Sequence, residues 1–182
     1  MENPYVHLLS SVEWQFWCTL SFKKLVPNYV HGSMYLRWLR GLERWTRTRP
    51  KRLLWVCRRE LGEMGSRLHL HALVAGVPKS WVHRGTVFAL KNEWESCGGG
   101  NARVFLYESG LTALEYMCTV SERDAAQHYE AQKFGNNATV ILSEGLIRFV
   151  SHKRRRGMHE TRNEEGCPVN SGRTHVVAQA RG

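Results

Sequence analysis

The stretch RLHLHALVAG, residues 67–76, sets two histidines one residue apart in an otherwise apolar run. Alternate side chains of a β-strand point to opposite faces of its sheet. Leu68, Leu70, Ala72 and Val74 therefore share a face that reads as core, while His69 and His71 share the other. Two imidazoles side by side chelate a metal ion when a third ligand stands nearby. Upstream, KRLLWVCRRE (51–60) is rich in β-forming residues, and LGEMGS (61–66) carries the glycines of a connecting turn. An antiparallel hairpin symmetric about Met64 and Gly65 pairs Glu60 with His69, and directly opposed residues project from one face. Glu60, His69 and His71 are thus the expected metal ligands, and Glu63 competes for the carboxylate's place if the register shifts. Two imidazoles and a carboxylate, with other positions open, suit a divalent cation used as a Lewis acid. The plain alternative is a packed histidine pair beside a solvated turn glutamate.

Working outward, WQFWCTLSF (14–22) sets Phe16, Cys18, Leu20 and Phe22 against Gln15, Trp17, Thr19 and Ser21, the alternation of a half-buried strand. In HGSMYLRWLRGLERWTRTRP (31–50), helical spacing gathers Tyr35, Trp38, Leu39, Leu42 and Trp45 on one side. Arg37, Arg40, Arg44 and Arg47 gather on the other, a basic row read as a solvated face in preference to a DNA contact. Beyond the hairpin a helix is predicted from about Gly85 to Ser96, stopped by the glycines at 98–100. NARVFLYES (101–109) then makes a fourth strand. The order strand, helix, strand, strand, helix, strand predicts an α+β fold. Its core is a ferredoxin-like, RRM-like antiparallel sheet of about four to five strands, with helices on one face and an open face for a site.

GLTALEYMCTVSE (110–122) and RDAAQHYEAQKFG (123–135) both read as helices, and NNATVILSEGLIRFV (136–150) as a short strand with a closing segment. Residues 1–150 form the expected domain. From Ser151 the chain turns polar and basic, which predicts a flexible tail over 151–182.

Charge narrows the partners. Lys and Arg number 26 against 16 Asp and Glu, a net charge of +10, and the pI is about 9.7. Such an excess favours a polyanion, either nucleic acid or an anionic membrane surface. No apolar run is as long as a membrane span, and MENPYVHLLSSVEW lacks the layout of a signal peptide, so nucleic acid is preferred and a cytoplasmic location expected. The five cysteines are odd in number and contain no Cys-x-x-Cys pair, which suggests free thiols in a reducing compartment.

A nucleophile completes the chemistry. Leu111, Leu114, Met117 and Cys118 form a helical apolar stripe, and Tyr116 falls on roughly the opposite side. Tyr116 either covers a second surface or presents its hydroxyl to the metal site. Tyr129 lies with Ala125 and Ala126 and has Lys133 one turn later, a placement that suits packing or an ammonium beside a phenolate. A phenol, with its pKa near about 10, is a weak nucleophile. A bound cation that polarises a phosphodiester would let a tyrosine oxygen attack in line, conserving the cleaved bond as a phosphotyrosine link.

Residues 14–147 resemble the HUH endonucleases, specifically the rolling-circle replication initiators (Rep proteins) of plasmids and small phages or viruses. TLSF looks like the first motif, HLH on its strand the second, and EYM the tyrosine motif. The resemblance implies nicking of a single-stranded origin hairpin, a 5′-phosphotyrosine intermediate, a free 3′-hydroxyl for a host polymerase, and Mn²⁺ or Mg²⁺ as cofactor. With no helicase domain in the chain, a host helicase or supercoiling would unwind the duplex. Arg58, Arg67, Arg103 and the run Lys153, Arg154, Arg155 and Arg156 are the expected DNA contacts, the run reading alternatively as a solubilising stretch. One departure stands out: in the family a lysine usually follows the nucleophile by three or four residues, whereas here Met117, Cys118, Thr119 and Val120 follow Tyr116. Tyr116 is preferred on helix position and motif order, with Tyr129 and Lys133 as the competing pair. The competing function is a non-catalytic nucleic-acid-binding module of ferredoxin-like fold, stacking bases on an aromatic-rich sheet.

Overall fold

Alternation in the first strand organises the molecule: Phe16, Cys18, Leu20 and Phe22 are buried, and Trp17, Thr19 and Ser21 between them are half-buried. The computed structural model describes residues 4–24, 28–61, 68–109, 113–118 and 140–153. The chain divides into two compact units, Met1–Val150 and Ser151–Gly182. In chain order the elements are α1 (Pro4–Ser10), β1 (Phe16–Phe22), α2 (Asn28–Thr46), β2 (Leu54–Leu61), β3 (Leu68–Ala75), α3 (Arg84–Ser96), β4 (Gly99–Leu106), α4 (Ala113–Cys118) and β5 (Val140–Leu142). A further helix, α5, covers 144–153.

The strands form one antiparallel five-stranded sheet in the order β4-β1-β3-β2-β5. On one face, β1, Leu70, Ala72, Val74, Ala102 and Val104 pack with Tyr35, Trp38, Leu39 and Leu42 of α2 and Val87, Leu90 and Trp94 of α3. Burying these large side chains removes apolar area from water and drives the layer together. The two buried indoles are also satisfied: Trp38 Nε1 donates to the Leu90 carbonyl and Trp94 Nε1 to that of Ser21, each at 2.8 Å. The predicted faces of β1, α2 and β3 are thus the observed ones.

Three features differ from the sequence reading. Gly99 and Gly100, read as part of a helix stop, are the first residues of β4. Close approach explains them, because a Cβ on Gly99 would sit 2.2 Å from Trp94 Nε1 and one on Gly100 2.9 Å from the Phe22 carbonyl carbon. Second, α1 was not foreseen; its seven residues are too few for periodicity to register.

The third concerns the opposite face, expected to be free. Val56, Leu73 and Ala75 on that face join Leu9, Val12 and Trp14 with Leu114 and Met117 of α4 and Leu146 of α5 in a second apolar cluster. The face is therefore covered at the end where its strands carry aliphatic side chains, and polar at the other, where β1, β2 and β3 carry Thr19, Ser21, Glu60, His69 and His71.

Candidate functional site

The hairpin register is the one the sequence predicts: Glu60 opposes His69, Arg58 opposes His71, and the ladder runs from Leu54↔Ala75 to Leu61↔Leu68. On the other side of β3, Thr19 of β1 opposes His71 and Ser21 opposes His69. Glu60, His69, His71 and Thr19 consequently project from the same face at its polar end. Arg103 of β4 opposes Thr19 and extends this row to the sheet edge, where it is exposed.

The centre is a four-residue arrangement. The Tyr116 hydroxyl of α4 donates a hydrogen bond to Glu60 Oε2, and that same oxygen lies 3.2 Å from His71 Nε2. His71 Nδ1 is 3.2 Å from Thr19 Oγ1. Since a hydroxyl either donates or accepts, Thr19 holds the ring in place with either nitrogen protonated. Trp17 stacks on the His71 ring at 5.7 Å and meets Tyr116 edge-on at 6.2 Å. His71 and Tyr116 are themselves T-shaped at 5.1 Å. Burial holds the His71 pKa below the ordinary imidazole value, reinforced by the charges of His69 and Arg58, while Glu60 pulls it upward. A neutral imidazole is the form that binds a cation.

Arg58, expected as a DNA contact, is engaged within the protein. Only 3 % exposed, it lies against α4: its guanidinium donates to the Tyr116 carbonyl and sits 5.0 Å from the Tyr116 ring centroid. It tethers the short tyrosine helix to β2. A cation over an aromatic face and a charged donor to a carbonyl are both stronger in a desolvated setting.

Of the expected metal ligands, Glu60 and His71 meet, and His69 occupies the neighbouring register position on the same face. Among the described residues no group of three or more His, Cys, Asp or Glu side chains is arranged to hold a metal ion. Glu63, Arg67, Tyr129, Lys133, Arg154, Arg155 and Arg156 lie outside the described residues, and Lys153 is exposed at the end of α5. Trp17 and Thr19 were not singled out by sequence reasoning, although pairing the TLSF strand next to HLH would have set Thr19 opposite His71. Among the described residues Cys18, Cys57, Cys97 and Cys118 form no disulfide, and no helix is long and apolar enough to cross a membrane. Compared with known protein families, with curated proteins and with solved structures, the chain matches none.

Proposed function

We propose that this protein is a metal-dependent, tyrosine-dependent endonuclease and strand transferase that nicks single-stranded DNA at a replication origin. One observation carries the reading: the Tyr116 hydroxyl donates to the carboxylate oxygen of Glu60 that also lies against His71 Nε2. A phenol bonded to a carboxylate has a route for its proton. As Tyr116 Oη attacks phosphorus, the proton passes to Glu60, the P–O3′ bond breaks, and the electron pair leaves on O3′, which takes up a proton to become the 3′-hydroxyl. The DNA remains attached through a 5′-phosphotyrosine bond, and a second 3′-hydroxyl reverses the step.

Glu60, His71 and His69 would hold a Mn²⁺ or Mg²⁺ ion, which supplies Lewis-acid polarisation of the phosphoryl oxygens when bound. The fit rests on the donor set: a carboxylate and an imidazole kept neutral by burial, with a second imidazole beside them on the same face. Thr19 orients His71, leaving Nε2 toward the site in the manner of an outer-shell partner. Trp17 fixes the ring faces of both His71 and Tyr116, and Arg58 fixes the helix that carries the phenol. The strand order β4-β1-β3-β2 with helices after β1 and β3 supports a ferredoxin-like sheet bearing a tyrosine helix. Exposed Arg103 is the phosphate contact nearest the centre in register.

The test incubates purified protein and Mn²⁺ with a pool of hairpin-bearing single-stranded oligonucleotides, followed by denaturing electrophoresis. A covalent adduct is expected, lost on Tyr116→Phe while binding remains. An adduct that survives Tyr116→Phe and disappears with Tyr129→Phe reassigns the nucleophile.

A binding-only reading draws on Phe105, 54 % exposed beside Trp17 on β4, which could stack a base. That reading needs no divalent ion and predicts oligonucleotide binding unchanged by chelator or by His71→Ala.

A further inference from the structure

The back of the molecule carries a second charged surface. Arg37, Arg40 and Arg44 along α2 and Arg47 at its end are all exposed, as are Arg49 and Arg52 beyond it. Two carboxylates lie against it. Glu93 bonds Arg44 at 3.5 Å, and Glu43 is half-buried, with its pKa raised by burial against the pull of Arg40. Cations remain in clear excess, on a helix whose opposite side is locked into the core.

Arg47 is the informative member. Thr48 N–H donates to the Glu43 carbonyl at 3.1 Å and Arg47 N–H to that of Arg44 at 3.4 Å, so α2 ends in a Schellman motif with Arg47 in the position where glycine is usual. Its φ is +52°, the one positive φ of a non-glycine residue among the described residues. Any L-residue with a Cβ is strained there. The helix dipole favours a cation at this end, but that term does not require it at the strained residue. An arginine placed where glycine fits better, at the end of an exposed arginine row, points to a use for its side chain.

We infer that the exposed arginine row of α2 is a docking surface for the phosphate backbone of duplex DNA, separate from the sheet face that bears Tyr116. From Arg37 to Arg47 the row spans about 15 Å at the helical rise, more than the roughly 12 Å width of a major groove, so its ends reach phosphates on both walls. The surface offers little to other occupants. Among the described residues, Tyr35 and Trp38 of α2 are buried in the core and Trp45 is half-buried against it, leaving no fully exposed ring of the helix on which a single strand could stack, and Leu36 is its one large exposed apolar side chain, too little to enter a membrane. The choice of DNA rests on the nicking reading; the surface itself does not.

Two variants test it, Arg47→Gly and the triple Arg37→Gln, Arg40→Gln, Arg47→Gly. Affinity for a random-sequence 20-base-pair DNA duplex is measured against salt, beside an equal RNA duplex and anionic vesicles. Arg47→Gly should raise the melting temperature, by relieving the strained φ, yet flatten the salt dependence of log K by about one unit. The triple variant should flatten it by about 2 to 3 units and weaken duplex binding roughly tenfold or more at 0.1 M salt, while adduct formation on single-stranded substrate is unchanged. Unaltered duplex affinity and slope in the triple variant overturn the assignment. Preferential loss of vesicle binding, or tighter wild-type binding of the RNA duplex, overturns it in favour of a different polyanion. Arginine-dependent duplex binding by a protein that forms no adduct sinks the nicking reading and upholds this surface.

Discussion

At the residue scale, the proposed reaction turns on Glu60 and His71, and each is set by neighbours that contribute geometry more than energy. The Tyr116 to Glu60 bond is made at a part-exposed site, so removing the hydroxyl should change stability by less than about 1 kcal/mol while eliminating the adduct. Urea unfolding and denaturing electrophoresis read the two effects separately. His71 predicts a pH dependence. Its folded pKa lies below the ordinary 6.5, because burial disfavours the charged ring. As pH falls below that value, the unfolded chain takes up a proton that the folded chain resists, so stability is full above 6.5 and declines until the depressed folded pKa is passed. Urea midpoints between pH 5 and 8 should show this loss in the native protein and a reduced one in His71→Gln.

At the scale of elements, α4 poses the main problem of positioning. Six described residues make too short a helix to hold itself in water, so its place depends on Leu114 and Met117 packing into the second apolar cluster and on Arg58 beneath it. Arg58→Met keeps much of the volume and removes both the tether to the Tyr116 carbonyl and the cation on its ring. A cost of about 1 to 3 kcal/mol is expected. Hydrogen exchange should show lost protection in α4 before β2 or β3, and adduct formation should fall with it. The same logic explains why β1, β3 and α2 could be read directly. Their faces repeat at 2 or 3.6 residues over seven or more positions, and each repeat faces one packed layer.

For the whole molecule, two apolar layers on opposite sides of one sheet imply cooperative burial of its central cysteines. Cys57 is pushed up to about 12 by burial, and Cys18 is raised further, with the charge of Cys57 adding to its own burial. Neither thiol can react with an alkylating agent until the sheet opens, whereas Cys118, half-buried at the end of α4, needs only local release. In native-state labelling, Cys118 should modify first of these three, and Cys18 and Cys57 should follow at the rate of global unfolding. Simultaneous labelling of all three would mean that α4 and the sheet open as one unit.

Local pattern alone determined the hairpin register, the core face of each central strand, the amphipathic helix with its basic back, and the pairing of Glu60 with His69, since each follows from periodicity and turn symmetry within a short span. Tertiary structure decided what periodicity cannot encode. It buried Arg58, expected as a phosphate contact, against the Tyr116 carbonyl, placed Thr19 behind His71 across 52 residues of chain, and covered one end of a face expected to be open. Those outcomes depend on which distant elements share space, and a side chain's role changes with burial and partner even when its position on a strand does not.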